Sequence, residues 1–200
     1  MELGYGTNSL LNTPLWDLIE SKLNSNNLEC KEALVNDIGD GSDFSFDNSL
    51  ESNFRKSKIA WLSEEYLRKQ IFHSVNLYNK QHWNYDLDGC DPIQYTEYNE
   101  GGKYDWHVDQ EPETRKIGVE NKSLMRKLSM TIWLNDPDEY EGGEFDIEIR
   151  GPRKDVRYDT LKLKKGSIVV FPSDKWHRVR PVTSGERKSL VTWFRGPPLR

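Results

Sequence analysis

The feature that most constrains the fold is a run of short, strand-forming segments that fills the chain from residue 92 onward. Glycine, proline, asparagine and aspartate residues separate these segments, as turn-forming residues do between strands. The predicted strands cover residues 93–98, 128–134, 143–149, 167–171 and 187–194. Many short strands without alternating helices favour a β-sandwich or jelly roll over a Rossmann-type sheet.

The first third of the chain is predicted to be helical and connecting. Helices are expected to begin at Pro14, to cover residues 28–38 and to begin at Ser63. Residues 39–48 are rich in Gly, Ser and Asp and are predicted to form a loop. We therefore expect a mainly β protein with N-terminal helices, organised as one domain over residues 1–200. Within it, residues 1–90 form a mainly helical supporting and connecting segment, and residues 91–200 form the jelly-roll core.

Composition narrows the functional classes. The net charge is −5 and the sequence pI is about 5.5, which argues against a general nucleic-acid-binding protein, because phosphate neutralisation requires a basic surface. No apolar run approaches the roughly 20 residues that cross a bilayer, and the N-terminus lacks the pattern of a secretory signal. Cys30 and Cys90 are too few for a disulfide framework or a cysteine-rich zinc site. We expect a cytoplasmic protein with reduced cysteines and no nucleic-acid or membrane partner.

Two short motifs, far apart in the chain, carry side chains that can bind one metal ion. The first is His107-Val108-Asp109, and if it lies on a strand, its first and third side chains share a face. His177 would supply a third ligand. Two histidines and one carboxylate on one face of an octahedron leave three positions open, as in non-haem iron(II) oxygenases. A His-x-Asp pair alone is weak evidence, since it equally suits a surface strand. The other histidines, His73 and His82, are predicted to be structural.

Arg187 lies ten residues after His177 and can bind the remote carboxylate of a 2-oxo acid, because its guanidinium is a fixed fork of donors. Side chains two apart in a strand share a face. One face of the predicted strand 187–194 therefore carries Arg187, Ser189, Val191 and Trp193. One face of strand 128–134 carries Ser129, Thr131 and Trp133, and the other carries Leu128, Met130, Ile132 and Leu134. The polar faces are predicted to line a pocket beside the metal.

The residues around these motifs form a longer pattern. Its parts are the segments 98–109, 128–135, 141–145, 171–173 and 177–187, with the sequences YNEGGKYDWHVD, LSMTIWLN, EGGEF, FPS and HRVRPVTSGER. In this order and at these spacings, the set resembles the prolyl-hydroxylase-like 2-oxoglutarate- and iron(II)-dependent dioxygenases. The resemblance covers about Arg55 to Gly196.

The resemblance implies a double-stranded β-helix, or jelly roll, flanked by N-terminal helices. It implies that iron(II) is bound by His107, Asp109 and His177, and that Arg187 pairs with the distal carboxylate of 2-oxoglutarate. Tyr98 resembles a tyrosine that helps to hold this co-substrate, and Trp193 matches an aromatic residue beside the same pocket. Thr131 and Trp133 are further candidates for contacts with the co-substrate. Some relatives have a tyrosine where Trp133 stands, and an indole nitrogen can donate one hydrogen bond but accept none.

The resemblance also implies the reaction. We expect hydroxylation of a C–H bond, favouring a prolyl residue of a peptide or protein, with release of succinate and CO2. Iron(II), 2-oxoglutarate and O2 are the implied cofactor and co-substrates, and a requirement for ascorbate stays open. The alternatives are a hydroxylase of a free amino acid or other small molecule, and a metal-binding, cupin-like jelly roll without oxidative activity. A cupin-like protein has no evident need for a carboxylate anchor at Arg187.

The segment from Gln110 to Lys127 directly follows the first metal-binding motif. Its length, its mixed charge and its lack of a clear period predict a mobile loop. We hypothesise that this loop closes over a peptide substrate, since it begins beside the metal ligands. An ordinary surface loop is the competing interpretation.

Overall fold

A computed structural model describes residues 5–25, 28–33, 54–110, 115–117, 122–149 and 157–198. Within these residues the helices are α1 (Pro14–Ser25) and α2 (Glu65–His82). The first eight strands are β1 (Gly6–Ser9), β2 (Lys31–Glu32), β3 (Arg55–Lys56), β4 (Lys58–Leu62), β5 (Gly89–Cys90), β6 (Ile93–Tyr98), β7 (Lys103–His107) and β8 (Arg115–Ile117). The others are β9 (Lys122–Trp133), β10 (Tyr140–Gly142), β11 (Phe145–Glu148), β12 (Tyr158–Leu161), β13 (Ser167–Pro172), β14 (His177–Val179), β15 (Val182–Gly185) and β16 (Arg187–Gly196).

These strands form two main antiparallel sheets. The major sheet has the order β1-β13-β9-β16-β6-β4-β2, with β5 paired to β16 and β8 paired to β9. The minor sheet has the order β12-β11-β14-β7-β3, and β10 pairs separately with β15. Apolar side chains from both sheets pack together, including Trp133 and Phe171 of the major sheet and Phe145 and Val179 of the minor sheet. This arrangement confirms the predicted jelly-roll core.

The two helices cover the outer face of the major sheet. Ile19 of α1 and Ile71 of α2 pack against the same apolar cluster as Leu128, Met130 and Ile132 of β9. The alternation within residues 128–134 therefore has the predicted effect, with the apolar face turned toward the helices and Trp133 turned toward the minor sheet. None of the helices in the described residues is long and apolar enough to cross a membrane.

The helix predictions are confirmed at two of three places. Helix α1 begins at Pro14, whose fixed φ suits a first turn, and Thr13 Oγ1 accepts a hydrogen bond from the Trp16 amide at 3.2 Å. Helix α2 begins two residues after Ser63. The predicted helix over residues 28–38 is wrong at residues 31–32, because these residues form β2, which pairs with β4 at the edge of the major sheet. This strand pairing outweighs the weak helical pattern of the segment. Residues 34–38 and the predicted loop 39–48 lie outside the described residues.

The predicted loop over residues 110–127 is also wrong in part. Arg115–Ile117 forms β8, which pairs antiparallel with the beginning of β9, and residues 122–127 belong to β9. The charged residues of this hairpin lack the apolar alternation that marks a half-buried strand, so sequence patterning does not reveal it. Residues 111–114 and 118–121 lie outside the described residues. A role of this segment in covering substrate stays a prediction.

Candidate active site

The two candidate histidine ligands lie opposite each other on neighbouring strands. His177 begins β14 and is paired with His107, the last residue of β7. Asp109 does not belong to the same strand as His107, contrary to the expectation from their spacing. The chain leaves the sheet after His107, because the amides of Asp109 and Gln110 both donate to the carbonyl of Ser173, at 3.0 and 2.8 Å. This turn brings the Asp109 carboxylate back toward both imidazoles.

The three side chains form a compact set of metal ligands. Asp109 Oδ1 lies 3.8 Å from His107 Nε2, and Asp109 Oδ2 lies 3.4 Å from His177 Nε2. The ligand atoms all lie within 4.8 Å of one another. Asp109 and His177 are buried, at 9% and 5% exposure. The distant motifs in the sequence are therefore brought to one point, as a shared metal site requires.

Hydrogen bonds to the backbone orient both imidazoles for metal binding. His107 Nδ1 lies 2.7 Å from the carbonyl oxygen of Asp105, and His177 Nδ1 lies 3.0 Å from that of Lys175. Since a carbonyl can only accept, each Nδ1 carries the proton and donates. Each Nε2 is then left with its lone pair directed toward the Asp109 side, which is the tautomer that a metal ion requires.

The charge state of the site also suits a divalent cation. Burial, with a smaller contribution from nearby His177, lowers the pKa of His107 to about 3, so its ring is neutral at pH 7. Burial alone would raise the pKa of Asp109, but the two histidines and Arg126 hold it below its usual value. Asp109 is therefore ionised at neutral pH. The site offers a neutral imidazole at the half-buried His107 and one negative charge at the buried Asp109.

Arg187 is the first residue of β16 and lies opposite Tyr98 of β6. It is 1% exposed, and its Cζ lies 5.4 Å from the ring centroid of Tyr98 and 5.3 Å from that of Trp133. Its Nη1 donates to Ser189 Oγ at 3.2 Å, which confirms that these two side chains share a strand face. Its Nε and Nη2 are buried and have no hydrogen-bond partner in the described part of the chain. A buried cation with free donors is costly unless an anion binds there.

Aromatic rings connect the arginine to the metal ligands. Trp133 packs edge-on against Phe145 with ring centroids 5.8 Å apart, and Phe145 lies 5.6 Å from His177. Phe171 completes this packing, 4.8 Å from His177. On the other side, the His107 ring is stacked on Tyr104 at 3.6 Å. The walls of the site are therefore apolar and closely packed, which restricts the ligand rings to one orientation.

The other predicted site residues lie on the same inner surface. Trp193 is 7% exposed, and Arg126 lies 3.9 Å above its ring while donating to the Asp109 carbonyl at 3.4 Å. Thr131 is buried on β9 between β13 and β16. Tyr98 lies beneath the Arg187 guanidinium. Their contacts with a co-substrate stay predictions.

Sequence reasoning missed two residues beside Arg187. Tyr140 is 3% exposed, and its hydroxyl is buried near the guanidinium. Gly143 has a φ of +64°, and a Cβ there would come within 3.1 Å of both Arg187 Cδ and Tyr140 Cε2. A side chain at Gly143 would therefore crowd the arginine, so glycine suits this position. A tyrosine shortly before a Gly-Gly pair, at the edge of a predicted pocket, is the signal that sequence alone offers.

The two remaining histidines lie apart from this cluster. His73 is exposed on α2, and the His82 ring packs against Tyr78 with centroids 4.0 Å apart. Neither belongs to the group of candidate metal ligands among the described residues. Cys30 and Cys90 are both free thiols.

Comparison with known families agrees with this geometry. The sequence profile of the 2OG-Fe(II) oxygenase superfamily matches residues 93–195, which contain all three candidate metal ligands and Arg187. This chain belongs to the 2OG-Fe(II) oxygenase superfamily. The proposed iron(II) and 2-oxoglutarate sites fit the residues present, because the histidine and carboxylate donors converge and the buried Arg187 has donors free for a carboxylate.

Relatives of this superfamily member include several bacterial proteins. A PKHD-type hydroxylase of Colwellia psychrerythraea is 31% identical over 143 residues, which cover 70% of this chain and 60% of that protein. A PKHD-type hydroxylase of a Psychrobacter species is 40% identical over 103 residues, covering 51% and 37%. The matched region spans less than two thirds of the length of these relatives.

Solved structures share the fold over nearly the whole chain. A prolyl-4-hydroxylase of Pseudomonas putida has a TM-score of 0.67 at 18% identity, covering 98% of this chain and 94% of that one. A prolyl hydroxylase of Trichoplax adhaerens, in complex with a peptide fragment of the hypoxia inducible factor oxygen degradation domain, has a TM-score of 0.62 at 17% identity. The match covers 96% of this chain and 83% of the Trichoplax chain. These likenesses confirm the jelly-roll fold.

Proposed function

We propose that this protein is an iron(II)- and 2-oxoglutarate-dependent dioxygenase that hydroxylates a C–H bond in a peptide or protein, with a prolyl residue as the favoured target. The observation that carries the proposal is the pairing of two features. A compact His107, Asp109 and His177 set is linked to Arg187 through the packed rings of Phe145 and Trp133. The Nε and Nη2 atoms of Arg187 have no partner in the described part of the chain. The first feature suits a metal ion, and the second suits the far carboxylate of a dicarboxylic 2-oxo acid.

When bound, iron(II) together with 2-oxoglutarate and dioxygen supplies the oxidative decarboxylation that yields succinate and CO2 and places one oxygen atom in the substrate C–H bond. His107, Asp109 and His177 would hold the iron. The backbone hydrogen bonds of the two histidines orient each Nε2 for metal binding. With three protein ligands, the site would leave positions for a 2-oxo acid and for dioxygen.

The protein side chains bind and orient the co-substrate and exclude water. Arg187 would bind the distal carboxylate through its free Nε and Nη2, and its charge is permanent, so it acts as an anchor and not as an acid or base. Tyr98 and Trp133 flank the guanidinium and shield it from solvent. A charged hydrogen bond in such a dry site is stronger than one at the surface.

The structural neighbours bear on the substrate. Two structural neighbours are prolyl hydroxylases, and one of them was solved with a peptide. Superfamily membership does not favour the cupin-like, non-oxidative alternative. A free amino acid or other small molecule stays the alternative substrate within the same reaction class. The cytoplasmic setting stays a prediction, and a requirement for ascorbate stays open.

The proposal is tested by following succinate formation in protein reconstituted with iron(II). Wild-type protein is expected to convert 2-oxoglutarate, and addition of iron(II) and 2-oxoglutarate without oxygen is expected to give a weak visible absorbance band. Mass spectrometry of proline-containing peptides after incubation would then identify a mass increase of one oxygen atom. Absence of both the band and succinate would contradict the proposal. Succinate formation with hydroxylation of a small molecule alone would replace the prolyl assignment.

A further inference from the structure

Four hydrogen-bond donors converge at the Arg187 end of the site. They are Nε and Nη2 of Arg187, Nε1 of Trp133 and the hydroxyl of Tyr140. Each of these atoms is buried, and none makes a hydrogen bond of regular geometry in the part of the chain that the structure describes. The Arg187 and Trp133 donors lie near the Tyr140 hydroxyl oxygen, and the Tyr140 proton has no acceptor among them. Trp133 and Tyr140 are 0% and 3% exposed, so solvent does not satisfy them. Buried polar groups are normally hydrogen-bonded, and such a concentration of exceptions points to a missing ligand.

The chemistry of these groups indicates which ligand is missing. Arginine and the indole of tryptophan can only donate, so neither can accept the hydroxyl proton of Tyr140. Burial raises the pKa of Tyr140, and nearby Arg187 and Trp133 offset this only in part, so the hydroxyl keeps its proton at neutral pH. A carboxylate only accepts, and its two oxygens offer about four lone-pair positions. The four donors are complementary to one carboxylate.

We infer that Tyr140 is a positioning residue for the co-substrate, and that its hydroxyl donates a hydrogen bond to the same 2-oxoglutarate carboxylate that Arg187 binds. This inference rests on the proposed function. Trp133 can add one donor from its indole nitrogen, but it cannot supply a hydroxyl. The hydroxyl comes instead from Tyr140 on β10. This strand lies outside both main sheets and pairs with β15, which ends two residues before Arg187.

The surroundings hold Tyr140 in this position. Lys162 Nζ donates to the Tyr140 carbonyl at 2.9 Å and lies 4.6 Å from the centroid of its ring. Gly185, with a φ of +75°, pairs with Tyr140, and a Cβ there would come within 3.0 Å of Tyr140 Cα. Gly143 leaves space between the tyrosine ring and Arg187. These contacts hold the backbone and the ring of Tyr140 in place. Its hydroxyl is therefore preorganised for binding.

The test is the Tyr140→Phe variant, which removes the hydroxyl and keeps the ring. Binding would be measured by calorimetry with Mn(II)-loaded protein, which reports affinity without turnover. Two ligands are compared: 2-oxoglutarate, and 2-oxopentanoate, which has the same chain length but lacks the distal carboxylate. Loss of one hydrogen bond to a charged group is expected to weaken 2-oxoglutarate binding by about tenfold to a hundredfold. Binding of 2-oxopentanoate and of Mn(II) is expected to be unchanged.

Tyr158→Phe is the matched control. Tyr158 packs against Trp106 and Arg178, away from the Arg187 cluster, so loss of its hydroxyl is expected to leave the affinity for 2-oxoglutarate at the wild-type value. If Tyr140→Phe binds 2-oxoglutarate like the wild type while Arg187→Met does not, the inference about Tyr140 is wrong and the proposed function stands. Equal weakening for 2-oxoglutarate and 2-oxopentanoate would also overturn it, because the hydroxyl would then act elsewhere. If wild-type protein does not bind 2-oxoglutarate at all, the proposed function itself fails.

Discussion

Replacing Arg187 with methionine is expected to have opposite effects on co-substrate binding and on protein stability. Methionine is close to arginine in length and removes the charge and all five N–H donors. In the present structure, Nη1 already donates to Ser189 Oγ, and Nε and Nη2 are the donors left without a partner in the described residues. The variant therefore removes two bonds that a bound carboxylate would receive and one bond that exists without it.

The magnitudes follow from these contacts. Two hydrogen bonds to a charged group, at about 1.5–3 kcal/mol each, correspond to a loss of roughly 10²- to 10⁴-fold in affinity for 2-oxoglutarate. In the absence of co-substrate, the buried guanidinium costs free energy, because unsatisfied donors cost about 1–3 kcal/mol each. Loss of the Ser189 bond offsets about 1 kcal/mol of this. The co-substrate-free variant is thus expected to be more stable than the wild type, by roughly 1–5 kcal/mol.

Affinity would be measured by calorimetry, and stability by urea unfolding without metal or co-substrate. Arg187→Lys keeps a charge but loses the fork, so a smaller loss of affinity is expected. Arg180→Met is the matched control, because Arg180 lies on the outer face and pairs with Asp146 at 2.9 Å. It is expected to keep the affinity and not to gain stability. If Arg187→Met had wild-type affinity for 2-oxoglutarate and reduced stability, Arg187 would not be the residue that binds the co-substrate carboxylate.

Three further predictions concern the metal ligands, the minor sheet and the 110–127 segment. Alanine in place of any one of the three candidate ligands is expected to abolish succinate formation in a folded protein. The control variant His73→Ala is expected to keep this activity. Near-normal turnover in one of the ligand variants would exclude that residue from the site. Asp146 accepts hydrogen bonds from Arg178, Arg180 and Thr160. Burial raises the pKa of Asp146, but these hydrogen bonds outweigh burial, so the pKa lies below its usual value. Its contribution to stability is therefore present above its unfolded pKa, near 3.8, and is lost as the pH falls through the lower folded value. Asp146→Asn should reduce the unfolding free energy at pH 7, with a difference that shrinks in acid; a constant difference would contradict the assignment. Limited proteolysis near Arg115-Lys116 is expected to slow when metal, a 2-oxoglutarate analogue and peptide are all bound, and cleavage that ignores the peptide would exclude closure over substrate.

The sequence alone determined the elements whose signal is local. Strand β6 covers the predicted residues 93–98, and the two faces of residues 128–134 lie on opposite sides of the sheet as the alternation requires. Period-two alternation and a proline at a first helical turn are properties of neighbouring residues, so they can be read without knowledge of the fold. The identity of the three candidate metal ligands was also predicted from spacing and resemblance, and the structure brings them together.

Only the tertiary structure decided which distant segments meet. Strands β7 and β14 are short and carry polar and charged side chains, and they exist as strands because they pair with each other and with their neighbours in the minor sheet. Residues 31–32 form an edge strand on β4 where the sequence favoured a helix. In both places the backbone hydrogen bonds are made with partners far along the chain, and no local pattern encodes that choice.

The pairing of Tyr140 with Arg187 has the same origin. Each residue belongs to a different strand pair, and their proximity depends on how β10 lies on β15 and how Gly143 leaves space between them. The sequence supplied the residue types needed for an iron and 2-oxo acid site. The tertiary structure decided that the donors at its far end are buried together without a regular hydrogen bond to any of the described residues, because burial and hydrogen-bond satisfaction depend on the whole packed chain.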